Sequence, residues 1–184
     1  VCQRMDWNLL DPDVLAWHVA DPADILAFLE EVTELRAMIE PEAAALAARR
    51  ATQKESAKLA ALAELLATTP ADAAIEIDVA FHLAVLEAER NRLLGAFGRS
   101  LGVMLRAHFT LSQKFLTGAA RYRPDDKHLA LARAIAARDA DAARKISQSM
   151  LRLVRRSVRS AVRLGATRAP RLALDKAKMR RSKS

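Results

Sequence analysis

The sequence predicts an all-α protein, an antiparallel bundle of six to seven helices, and three observations carry that reading. Half of the chain is apolar (52%) but only 4% is aromatic, with Ala and Leu as the bulk; these lead the helix scale, while strand-forming aromatic and β-branched residues are scarce. Only 5 Gly and 6 Pro punctuate 184 residues. Apolar residues also recur at three- and four-residue steps, the period of one helix face. No apolar run reaches the roughly 18 residues of a membrane span, and no charged-then-apolar leader opens the chain, so a soluble cytoplasmic protein without membrane contact is expected. The single cysteine, Cys2, excludes an internal disulfide and a cysteine-based zinc knuckle.

The elements follow in order. Asp11 and Pro12 supply an N-cap and a first-turn proline for a short helix through Val14, Leu15 and His18, ending near Asp21-Pro22. A second helix opens at Pro22 with the stripe Ile25, Leu26, Leu29, Val32, Leu35, Ile39, and is kinked at Pro41 before Ala44, Ala45 and Leu46 continue it. Thr52 and Glu55 form a capping box for a third helix that ends before Pro70. The fourth spans about 71–89 and the fifth starts after Asn91, running through Leu94, Phe97, Leu101 and Leu105 to about Leu116. A loop over 118–124 leads to a sixth helix over about 125–138, and Asp139 caps a seventh that reaches about Leu164.

The formal charge of +8 is unevenly spread. From Arg152 onward twelve Lys and Arg face one acid, Asp175, so the rest of the chain is slightly acidic. The organisation expected is a linker remnant with a short helix over 1–21, a helical domain over 22–164, and a disordered basic tail over 165–184. Such a tail has weak phosphate affinity or is simply a solvated end.

Chemistry-bearing residues lie on the fourth helix, where the stripe Ile75, Asp78, His82, Val85, Glu89 places ionisable groups at apolar positions. Asp78 and His82, four apart, point a carboxylate and an imidazole at one centre, as divalent-metal ligands do, or form a self-satisfied core pair. His128 shares the sixth helix's stripe with Leu131, Ala132 and Ile135. Three buried polar groups must serve one another, water or a ligand, which points to a small polar cavity. Arg36, beside Leu35, either faces that cavity as a carboxylate partner or lies on the surface. His108, on the stripe of Leu101, Leu105 and Phe115, lines the same space or packs in the core.

Four segments together carry a resemblance: residues 34–44 (ELRAMIEPEAA), residues 78–82 (DVAFH), Lys127-His128, and residues 137–143 (ARDADAA). In these the chain resembles the effector-binding (FCD) domain of GntR-type transcription regulators of the FadR subfamily, over about residues 6 to 160. The opening stretch from Asp6 to Trp17 is similar to the linker region of the sugar-acid, galactonate-type repressors in that group. The resemblance implies that Asp78, His82 and His128 hold a divalent metal, zinc or nickel, and that Arg36 and His108 help bind a small carboxylate or sugar-acid effector. The position matching the family's last histidine is Met150, on the stripe Ile146, Met150, Leu153. The resemblance also implies a non-enzymatic homodimer. DNA would be contacted only through a winged helix-turn-helix that precedes such domains and has no counterpart in this chain. The other readings are a metal-dependent enzyme using the same pocket, or a structural bundle acting through its basic tail. Gly95, Gly98 and Gly102 form a small-residue strip that admits a close neighbour within the chain or across a dimer. On this reading, replacing Arg36 by Ala weakens acid binding and spares the fold.

Overall fold

In a computed structural model of the chain, the residues described are 8–11, 13–15, 25–71, 73–115 and 127–165. Among them every regular element is helical, as composition and periodicity require. The helical residues 13–15 are α1; then follow α2 (Ile25–Arg50), α3 (Gln53–Thr68), α4 (Ile75–Ala88), α5 (Arg92–Phe115), α6 (Lys127–Ala136) and α7 (Ala140–Gly165). The opening of the second helix at Pro22, the loop over 118–124 and the tail from 166 lie outside the described residues.

The caps fall where the sequence placed them. Asp11 Oδ1 accepts the Asp13 and Val14 amides at 2.9 and 3.2 Å. The Glu55 amide donates to Thr52 Oγ1 at 3.2 Å while the Thr52 amide donates to Glu55 Oε2 at 2.6 Å, closing the capping box of α3. Asp139 accepts the Ala142 amide at 2.9 Å and starts α7. Helix α4 begins at Ile75 rather than near 71, because a turn closed by the Ala73 amide on the Pro70 carbonyl takes up the preceding residues. Helix α2 passes through Pro41 without a break, although the proline has no amide to offer the Ala37 carbonyl.

Helix α4 is the centre of the bundle, packed against α2, α3 and α5 and buried on almost every side, which is why it shows no single apolar stripe. On one flank Phe81, Ala84 and Val85 meet the alanine-rich end of α2, Leu59 of α3, Leu131 and Ile135 of α6 and Met150 of α7. On the other, Val79 and Leu86 meet Phe28 and Val32 of α2 and Leu101, Leu105 and Phe109 of α5, with Leu15 closing the end. Small alanines let α2 approach closely, and α7 lies along it. The polar residues of α4 sit on the seam between these two apolar clusters.

Candidate metal and anion site

One turn of α4 separates Asp78 from His82, so their side chains leave the same face. Helix α6 brings His128 against them. His82 Nε2 lies 3.1 Å and His128 Nε2 3.2 Å from the same oxygen, Asp78 Oδ1. The two imidazoles are nearly perpendicular with centroids 5.6 Å apart, and Phe81 meets both edge-on at 5.9 and 5.1 Å. One donor atom from each of the three residues lies within 4.8 Å of the others. Zinc bonds of about 2.0–2.2 Å in a tetrahedral arrangement set donors roughly 3.3 Å apart, so this donor set fits a divalent ion.

Burial pushes the Asp78 carboxyl up, but hydrogen bonds to His128 and His82 and their charges outweigh it and hold the group well below the usual carboxylate range. Burial alone pushes His82 down; the charges of Glu40 and Asp78 and their hydrogen bonds reverse this, and its pKa is raised.

Glu40 carries no distinguishing mark in the sequence. Its Oε1 accepts Arg36 Nε–H at 2.6 Å and its Oε2 lies 3.2 Å from His82 Nδ1, so one carboxylate holds both side chains. Burial would raise the Glu40 carboxyl, yet the charges and hydrogen bonds of Arg36 and His82 pull it down to about 2. The signal that existed was the Arg-x-x-x-Glu spacing on α2, which reads equally as an ordinary surface pair. Arg36 is only 2% exposed, which removes the surface alternative. Its guanidinium lies over the Phe109 ring at 5.2 Å, with Nη2 3.4 Å from His82 Nε2. Asp78, His82, His128 and Arg36, each singled out from sequence, thus meet in one buried cluster.

Residues 31–153 match the model of the FCD domain family. The chain belongs to the FCD domain family. It is 32% identical over 155 residues to the galactonate operon transcriptional repressor of Escherichia coli strain K12, covering 82% of this chain and 66% of that one. An uncharacterized HTH-type transcriptional regulator of the same strain is 29% identical over 83% of this chain and 65% of its own. That strain's putative L-lactate dehydrogenase operon regulatory protein is 32% identical over 80% and 56%. The chain therefore spans 56 to 66% of the length of these relatives. Their names describe a transcriptional repressor, a transcriptional regulator and a putative operon regulatory protein.

Two further sequence candidates stand at the edge of the FCD site. His108 is buried on α5 together with Leu101, Leu105 and Ser112, and its ring meets Phe109 edge-on at 5.8 Å. Burial first, and then the Arg36 charge, push it down to about 3, so the imidazole is neutral. Met150 packs in the apolar cluster with Phe81 and Leu131, and the stripe assigned to it needs correction: Leu153 is 48% exposed, and α7 buries Ala143, Ser147, Met150, Leu151 and Val158 instead. The α7 residue that lines the space beside Glu40 and His82 is Ser147, which nothing in the sequence separates from a surface serine. That space is a cavity of about 10 Å3, room for one water. A guest larger than water enters only as side chains give way. An open groove of about 160 Å3 between Pro41 of α2 and Leu151 and Arg152 of α7 contains none of the clustered groups. The glycine strip is used within the chain: a Cβ on Gly102 would come within 3.3 Å of Leu83 Cδ1 and one on Gly98 within 3.9 Å of Leu83 Cδ2, while Gly95 faces open space. It therefore supplies no argument for a dimer face.

Proposed function

We propose that this FCD domain is the ligand-sensing part of a transcription regulator and that it binds the carboxylate of a small organic or sugar acid. Asp78, His82 and His128 would hold zinc or nickel, and the ion, when bound, supplies a positive centre for carboxylate oxygens. Arg36 supplies the second positive group. The observation that carries the reading is the approach of Arg36 Nη2 to 3.4 Å from His82 Nε2, which brings a permanently charged group against the three donors inside the buried core. The donation of Arg36 Nε–H and Nη2–H to the Glu40 carboxylate at 2.6 and 3.5 Å supports this, because an acid's carboxylate would be bound by the same chemistry. The galactonate operon repressor among the relatives favours a sugar acid as the effector. Such a domain acts as a homodimer and passes binding to a DNA-reading module elsewhere in the full regulator.

A thermal-shift screen of sugar acids and dicarboxylates, run with added zinc or nickel and again after chelation, tests this. The expected result is a rise in Tm for one class of acid that is larger with metal and lost in Arg36→Lys, a variant that keeps the charge but not the fork. No acid shifting the Tm in any condition overturns it.

A further inference from the structure

Among the described residues only three buried side-chain atoms have no hydrogen-bond partner, and two of them belong to residues that pack on Phe109: Arg36 Nη1 and His108 Nδ1. The third, Glu89 Oε2, lies at the far end of α4 with Arg50 Nη1 3.9 Å away. Arg36 and His108 are each 2% exposed, so water from the surface does not reach them freely. Phe109 is their shared wall, with the guanidinium over its face at 5.2 Å and the imidazole at its edge at 5.8 Å. Native interiors seldom leave such groups unpaired, and two orphans against one ring mark a place where a polar guest completes the bonding.

The chemistry of the two atoms describes the guest. Glu40 and His82 occupy the Nε and Nη2 edge of Arg36, leaving Nη1 as a pure donor that accepts only an oxygen lone pair. A neutral imidazole presents one donor and one acceptor, and a hydroxyl, which is both, satisfies Nδ1 in either tautomer. Ser112, one turn beyond His108 on α5, is also buried.

We infer that Arg36 Nη1 and His108 Nδ1 form a hydroxyl-reading subsite, which selects hydroxy acids over their deoxy counterparts. This rests on the acid-sensing reading above and narrows its ligand class. Arg36 takes a carboxylate oxygen and His108 the neighbouring hydroxyl. A deoxy acid leaves His108 Nδ1 as it is now, buried and without a partner, and sites built to bond a hydroxyl discriminate strongly against guests that lack it.

The test is calorimetric titration of the chain with saturating zinc, using D-galactonate against its 2-deoxy counterpart and lactate against propionate. Three proteins are compared: the parent, His108→Leu, and His108→Asn, whose amide keeps a donor and an acceptor. The parent is expected to prefer the hydroxy acid of whichever pair binds by at least about tenfold. His108→Leu should lose the preference while still binding the deoxy acid, and His108→Asn should retain part of it. Equal binding of both acids by the parent, or a preference that survives in His108→Leu, overturns the subsite and leaves acid sensing standing. Failure of every acid to bind overturns the sensing reading and this one with it.

Discussion

Arg36 donates its Nε–H to Glu40 at 2.6 Å one turn along α2, and both side chains are almost wholly withdrawn from solvent. An ion pair so placed is costly to break from one side, because the surviving charge stays buried alone. It orders the cluster as well: the same Glu40 carboxylate reaches His82 Nδ1, so Arg36 and His82 share one anchor. A partner on the second nitrogen fixes which imidazole nitrogen a ligating histidine presents.

Arg36→Ala is therefore expected to cost stability as well as acid binding. The sparing of the fold expected from sequence does not follow, because Glu40 would stay buried without its guanidinium, held by His82 Nδ1 alone. Urea unfolding should show a loss of about 3–5 kcal/mol. Arg36→Ala combined with Glu40→Leu should recover most of it. A double variant no more stable than the single one would show that the charge pair is not the cause.

Met150→His should raise zinc or nickel affinity by tenfold or more, adding a third imidazole to Asp78, His82 and His128. Helix α7 already presents Ser147 to the cavity, and position 150 lies one turn on along the same face. Metal titration of parent and variant decides it. No gain would mean that Met150 serves only the packing of Phe81 and Leu131, where a buried imidazole would lower the Tm.

His108 gives the domain a predictable acid sensitivity. Its pKa of about 3 in the fold lies below the ordinary 6.5, so the folded state binds fewer protons than the unfolded one between those values. Stability contributed above 6.5 is then lost as pH falls, at about 1.4 kcal/mol per unit from this group. His82, raised above 6.5, is charged in both states below that pH and adds no slope there. Denaturation between pH 6.5 and 4.5 should show this slope in the parent and a flatter profile in His108→Leu. Below 4.5 both should weaken as Glu40, held at about 2, begins to take up protons in the unfolded chain.

Arg138→Gly should stabilise the fold by about 0.5–1 kcal/mol. Arg138 has φ 62° and closes α6 in a Schellman turn, with its amide on the Ile135 carbonyl at 3.1 Å and the Asp139 amide on Ala134 at 3.0 Å. Glycine adopts that φ without a Cβ clash, and little is lost beyond an exposed contact to the Arg49 carbonyl. Thermal unfolding checks it. Arg138→Ala, which retains the clash, should show no gain.

Helices, their caps and the inward phase of Asp78, His82 and His128 were legible because each depends on residues within one or two turns. Thr52 finds Glu55, Asp139 starts α7, and three- and four-residue steps place Asp78 and His82 on one face whatever surrounds them. Asp11 likewise caps α1 from two and three residues away. What lay beyond the sequence needed partners distant along the chain. Glu40 and Ser147 carry no local mark separating them from surface residues; only the packing of α2, α4 and α7 makes them line one cavity. The same packing turned Gly98 and Gly102 of α5 onto Leu83 and exposed Leu153. Periodicity fixes which residues share a face, while the assembly of six long helices decides what that face meets, and the charge of a buried group is settled by what it meets.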